Sequence, residues 1–98
     1  MSETARYVER DLRAFIQEVY AHHERVSLTL HPMDKGMAGL ELGSVLVCVT
    51  FEPSKAASFL VDMAVSKAKA HQISKFVVRA HDLNRRRISQ TCFSLAPN

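Results

Sequence analysis

Apolar residues recur at two different periods along this chain, and each change of period marks a new element. Val8, Leu12, Phe15, Ile16 and Val19 fall on one face of a helical wheel, with Arg6, Glu9, Arg10, Arg13 and Glu18 elsewhere. That spacing predicts a helix over about residues 3–23, which Ser2 or Thr4 can cap. Val26, Leu28 and Leu30 then alternate with Ser27, Thr29 and His31, the pattern of a half-buried strand, and Pro32 ends it. Asp34, Lys35, Gly36 and Gly39 mark a loop. Residues 40–42 and 45–51 flank Gly43-Ser44 and predict a tight hairpin, the alternative being one long strand with a bulge at Gly43. The second of these segments carries Val45, Val47, Val49 and Phe51 on one face and Leu46 and Cys48 on the other. An element apolar on both faces is expected at the centre of a sheet, or covered by helices on one face and by a partner on the other.

Glu52-Pro53-Ser54 stops the strand, and a second helix is predicted over about residues 55–72 with Ser54 as its N-cap. Lys55, Ser58, Asp62, Ser66 and Lys69 make its polar stripe. The remaining arc is wide and apolar. Phe76, Val78 and Ala80 share one face of a strand at residues 75–81, Asp82-Leu83-Asn84 supplies a turn, and residues 87–95 form a last strand. The whole reads as a single α+β domain over residues 1–98. Its expected form is an antiparallel sheet of four to five strands packed by two helices, in the order α-β-β-β-α-β-β. Phe15, Val47, Val49, Leu60, Val61 and Val65 are its expected core.

Parts of this order resemble two known topologies. The double-stranded-RNA-binding domain runs α-β-β-β-α, with a lysine cluster opening its second helix, where Ser54-Lys55-Ala56-Ala57 offers one lysine. Small secretion-chaperone-type proteins are similar over the whole order, but are usually longer and acidic. Both likenesses concern topology and imply no function.

Composition excludes several classes. With 47% hydrophobic and 23% charged residues, the chain is built to fold rather than to remain disordered. The residues after Met1 are polar and soon reach Arg6 and Glu9, and no apolar run approaches the ~20 residues of a membrane span, so a cytoplasmic protein that does not enter membranes is expected. Cys48 and Cys92 lie far apart in apolar strand contexts and read as buried, reduced thiols.

The chemistry-bearing residues form no catalytic set. His22 and His23 are adjacent on a helix and point about 100° apart, while His31, His71 and His81 sit on other elements, so no metal site is expected. His81-Asp82 at a strand end is a faint acid–base candidate, better read as an exposed partner and a turn initiator. Gly36, Gly39 and Gly43 fit no nucleotide fingerprint, and no cofactor is implied.

The strongest polar feature is a basic set: Lys75, Arg79, Arg85, Arg86 and Arg87, gathered around the last predicted hairpin. Net charge is only +3 and no exposed aromatics interleave with these cations. A solvated hairpin, a docking site for an acidic protein surface and a nucleic-acid contact are the three readings of this set. For the whole chain, which carries no catalytic set, the expectation is a small non-enzymatic regulator, inhibitor or adaptor that binds a protein partner, one with an acidic surface, and that forms a homodimer. Compact inhibitors encoded by phages and mobile elements look like this. The alternative is a nucleic-acid-binding module using the same hairpin.

Overall fold

The computed structural model describes residues 3–23, 25–33, 45–47 and 52–95, with side chains from residue 5 onward and not at 45–47. Helix α1 (Glu3–His22) leads into strand β1 (Ser27–Pro32). Strand β2 (Val45–Val47), helix α2 (Pro53–His71), strand β3 (Lys75–His81) and strand β4 (Arg87–Ser94) follow in order. The described residues thus form an α+β fold, with two helices and an antiparallel sheet in the strand order β2-β1-β3-β4.

The predicted strand at residues 40–42 and its Gly43-Ser44 turn lie outside the described residues, so the seven-element order is not matched among those described. The predicted neighbour of residues 45–51, the strand at 40–42, is among those undescribed residues. The segment expected at the centre of the sheet provides β2, which lies at one end of the described sheet, while β1 and β3 occupy the centre. Continuous apolar character reports coverage of a strand's faces, not which strands pair with its edges.

Alternation on the two central strands decides what faces what. Leu28 pairs with Ala80 and Leu30 with Val78, and all four are buried in one core with the helices. Val8, Leu12, Ile16 and Val19 of α1 supply one side of that core, and Ala56, Ala57, Leu60, Val61 and Ala64 of α2 the other. Ala56, Ala57 and Ala64 are fully buried, and small side chains there allow α2 a close approach to its neighbours. Phe76 stacks on its cross-strand partner Phe93, with ring centroids 5.5 Å apart and planes inclined by 17°. Phe15 and Val65, expected in the deep core, are only partly buried at its margin. Val47 and Val49 cannot be compared, because their side chains lie outside the described set.

The start of α2 differs from expectation as well. Its N-cap is Glu52, in extended backbone, not Ser54, and Pro53 occupies the first turn. Proline fits there because its fixed φ is already helical and its missing N–H would have had no intrahelical partner. The first helical bond runs from the Ala56 amide to the Glu52 carbonyl at 2.9 Å. At the other end Gln72 closes the helix in the left-handed region, φ 56°.

Both helices lie on the Phe76–Val78–Ala80 side of the sheet. The opposite side, which we call the open face, is covered by no described element and is where the polar residues of the strands gather.

A cationic open face and the cleft at its hairpin end

Residues directly opposite one another in an antiparallel pair share a face. The β1–β3 register therefore sets Thr29 beside Arg79, His31 beside Val77 and Ser27 beside His81 on the open face. The β3–β4 register adds Gln90 beside Arg79, Cys92 beside Val77 and Ser94 beside Lys75. Val77 is only 4% exposed yet lies outside the helix-side core. Long neighbours such as Lys75 and Arg79, two positions away on the same face, can lay their aliphatic stems over it.

Of the basic residues singled out by the sequence, Lys75, Arg79 and Arg87 share this face. Arg87 belongs to it because its guanidinium donates a 3.1 Å hydrogen bond to the Gln90 side-chain carbonyl. Arg85 and Arg86 lie in the β3–β4 turn at one end of the face, and Lys75 at the other end. The strand between them is seven residues long, so Lys75 and Arg85 are separated by roughly 20 Å. The five cations thus form a band along the hairpin, not a single cluster.

The turn itself is a three-residue loop, Leu83-Asn84-Arg85. The Arg85 amide donates to the Asp82 carbonyl, and the Asp82 amide to the Arg86 carbonyl, both at 3.0 Å. Arg85 adopts φ 61°, the left-handed position that such loops usually give to glycine or asparagine. Asp82 Oδ1 accepts from the Asn84 amide at 2.8 Å and from the Arg86 amide at 2.9 Å. Asp82 is therefore the turn's anchor, the role its sequence context suggested.

One carboxylate already spent on backbone amides is the sole acid among the described residues that meets the basic end of this face. A cleft of about 460 Å³ opens there. Arg25 reaches it from the α1–β1 connection, Ser27 and Thr29 from β1, His81 from β3 and Arg85 from the turn, and the exposed Leu83 forms part of its rim. A shallower hollow with His22, His23 and Asn84 adjoins it, sharing Arg25 and Asp82. Sequence reasoning did not single out Arg25, Ser27 or Thr29. No local motif joins them to Arg85, since only the β1–β3 pairing brings residues 25–29 beside residues 81–85.

Electrostatics across the face are repulsive. His31 has its pKa lowered from 6.5, first by burial, then by the Arg79 charge and His81. A 2.8 Å hydrogen bond links its Nε2 to Thr29 Oγ1. Arg79 Nε is buried with no hydrogen-bond partner among the described residues. A buried donor without an acceptor is uncommon in folded proteins and costs free energy.

The remaining candidates do not converge. Cys92 is exposed on the open face, not buried as its apolar context suggested: β4 pairs with β3 alone among the described strands, and its outward residues stay accessible. Cys48 lies outside the described residues. Among the described residues no three His, Cys, Asp or Glu side chains are grouped to hold a metal ion, and no described helix is long and apolar enough to cross a membrane. No protein-family model, curated protein or solved structure matches the chain.

Proposed function

We propose that this protein is a non-enzymatic binding module, a regulator, inhibitor or adaptor, that docks an acidic protein surface on its open sheet face. The observation that supports this reading is the charge asymmetry of that face. Lys75, Arg79 and Arg87 lie along it, and Arg25 and Arg85 flank its end. The facing acid, Asp82, is taken up by its own turn. Like charges held close together raise the energy of the free protein, and an acidic partner relieves that repulsion while gaining steering at long range. Leu83, 70% exposed at the tip of the hairpin, adds an apolar anchor of the kind protein interfaces use.

Nucleic acid is the competing occupant of a cationic face. The open face has no aromatic ring other than the imidazoles of His31 and His81 among the described residues, so it lacks the stacking platform of a single-strand binder. The deciding experiment is affinity capture from the native host with the intact protein and with an Arg79→Glu/Arg87→Glu variant, both analysed by mass spectrometry with and without nuclease. A protein captured by the intact chain, retained after nuclease and lost in the variant is the expected result. Retention of DNA or RNA on filters at about 50 mM salt, with affinity falling steeply as salt rises, together with capture that nuclease abolishes, would replace this reading with the nucleic-acid one.

A further inference from the structure

The cleft at the hairpin end has a composition more specific than a generally basic surface. Its polar lining residues come from three directions: Arg25 from the α1–β1 connection, Arg85 from the turn, and Ser27, Thr29 and His81 from the sheet between them. A planar carboxylate is best matched by one guanidinium lying in its own plane, whereas a tetrahedral oxyanion accepts from several directions at once. The charges point the same way. Among the described residues, Arg25, Arg85 and the adjacent Arg79 bring three formal positive charges against the single carboxylate of Asp82. A phosphate monoester, which carries about −1.5 to −2 at neutral pH, offsets that excess. A lone carboxylate leaves about half of it unmatched.

Two further features fit an anion at this place. Arg79, paired directly with the cleft-lining Thr29, adds a positive charge beside the cleft, and its buried Nε has no hydrogen-bond partner among the described residues. Arg85 holds a left-handed backbone conformation that a glycine would adopt without cost. Backbone strain kept at a residue whose side chain lines a cleft is a common mark of a functional position.

We infer that this cleft binds a phosphorylated side chain, a phosphoserine or phosphothreonine, of the protein partner. The phosphate sits between Arg25 and Arg85 beside Ser27, and Leu83 takes an apolar neighbour of the modified residue. This rests on the open face being the docking surface and assigns that partner a phosphorylated state.

The test is an amide NMR titration of the intact protein at constant ionic strength, using inorganic phosphate, N-acetyl-phosphoserine amide, N-acetyl-serine amide and N-acetyl-glutamate amide as probes. The expected result is saturable shifts at the amides of residues 25–29 and 81–86 with both phosphate probes, none with the serine compound, and about tenfold weaker binding of the glutamate compound. Arg85→Gly, which suits the left-handed position, and Arg25→Ala should each weaken phosphoserine binding about five- to tenfold while the spectrum stays folded. Shifts that never saturate, that spread equally to Lys75, or that persist unchanged in Arg85→Gly overturn the proposal. So does a DNA or RNA dodecamer that displaces the phosphoserine probe at lower concentration from the same residues, since the phosphate would then belong to a nucleic-acid backbone. Partner capture that survives while phosphoserine binding fails removes this cleft assignment alone. Phosphoserine binding with no protein captured removes the docking reading.

Discussion

Asp82 and Arg86 are bonded to each other twice, once by the backbone and once by a side chain. The Asp82 amide donates to the Arg86 carbonyl at 3.0 Å, and the Arg86 amide donates to Asp82 Oδ1 at 2.9 Å. Together with the Asn84 amide on the same oxygen, this closes the β3–β4 loop without a glycine and fixes where Arg85 and Arg87 leave the sheet.

Replacing that oxygen should therefore loosen the hairpin. Asp82→Ala removes an acceptor serving two amides and is expected to destabilise the fold by about 1–2 kcal/mol, while Asp82→Asn, which keeps a carbonyl acceptor, should lose less. Urea denaturation measures the difference, and hydrogen exchange at the Asn84 and Arg86 amides should speed up in the alanine variant. Equal stability of all three proteins would mean that the turn is held by the strands alone.

Arg85 makes an opposite expectation. At φ 61° any residue with a Cβ is strained, so Arg85→Gly should leave stability unchanged or raise it by up to about 1 kcal/mol. Arg85→Val, β-branched and poorly suited to the left-handed region, should lower it. A glycine variant with a markedly reduced melting temperature would show that the guanidinium itself holds the turn.

Leu60 is fully buried between α2 and the rest of the core. Leu60→Ala should cost about 2–5 kcal/mol, and Val65→Ala, at the partly buried margin, clearly less. Chemical denaturation of the two variants tests the helix phase directly, and the reverse ranking would rotate α2 away from its assigned packing.

His31 sets a pH dependence. Its pKa in the folded state is depressed below 6.5 by burial, by Arg79 and by His81. The unfolded chain therefore takes up this proton before the folded one does. The contribution of neutral His31 is intact above the unfolded value, and stability falls as pH drops below about 6.5, levelling once the folded-state pKa is passed. Denaturation midpoints at pH 7.5 and pH 5 should differ less in His31→Gln than in the parent. An anion bound in the cleft beside His81 should raise the His31 pKa, which ring-proton NMR can follow during the phosphate titration. A His31 titration unaffected by saturating phosphate would separate it electrostatically from the cleft.

The sequence by itself determined the helices and the identity of most core faces. Leu12 and Ile16 on α1, Leu60 and Val61 on α2, and Phe76 and Val78 on β3 are buried on the faces their periodicity indicated. Helical and extended backbones impose periods of their own, and a covered face writes that period into neighbouring residues. The turn chemistry of Asp82 was legible for the same reason: its partners lie within four positions. Tertiary structure alone decided the strand order that moved residues 45–47 to one end of the described sheet, the exposure of Cys92, and the meeting of Arg25, Ser27 and Thr29 with His81 and Arg85. Pairing between β1 and β3 joins residues about fifty positions apart, a choice made by the summed burial of both strands and both helices. No local period records such a sum, so the basic residues could be read from the chain, but not the cleft they form.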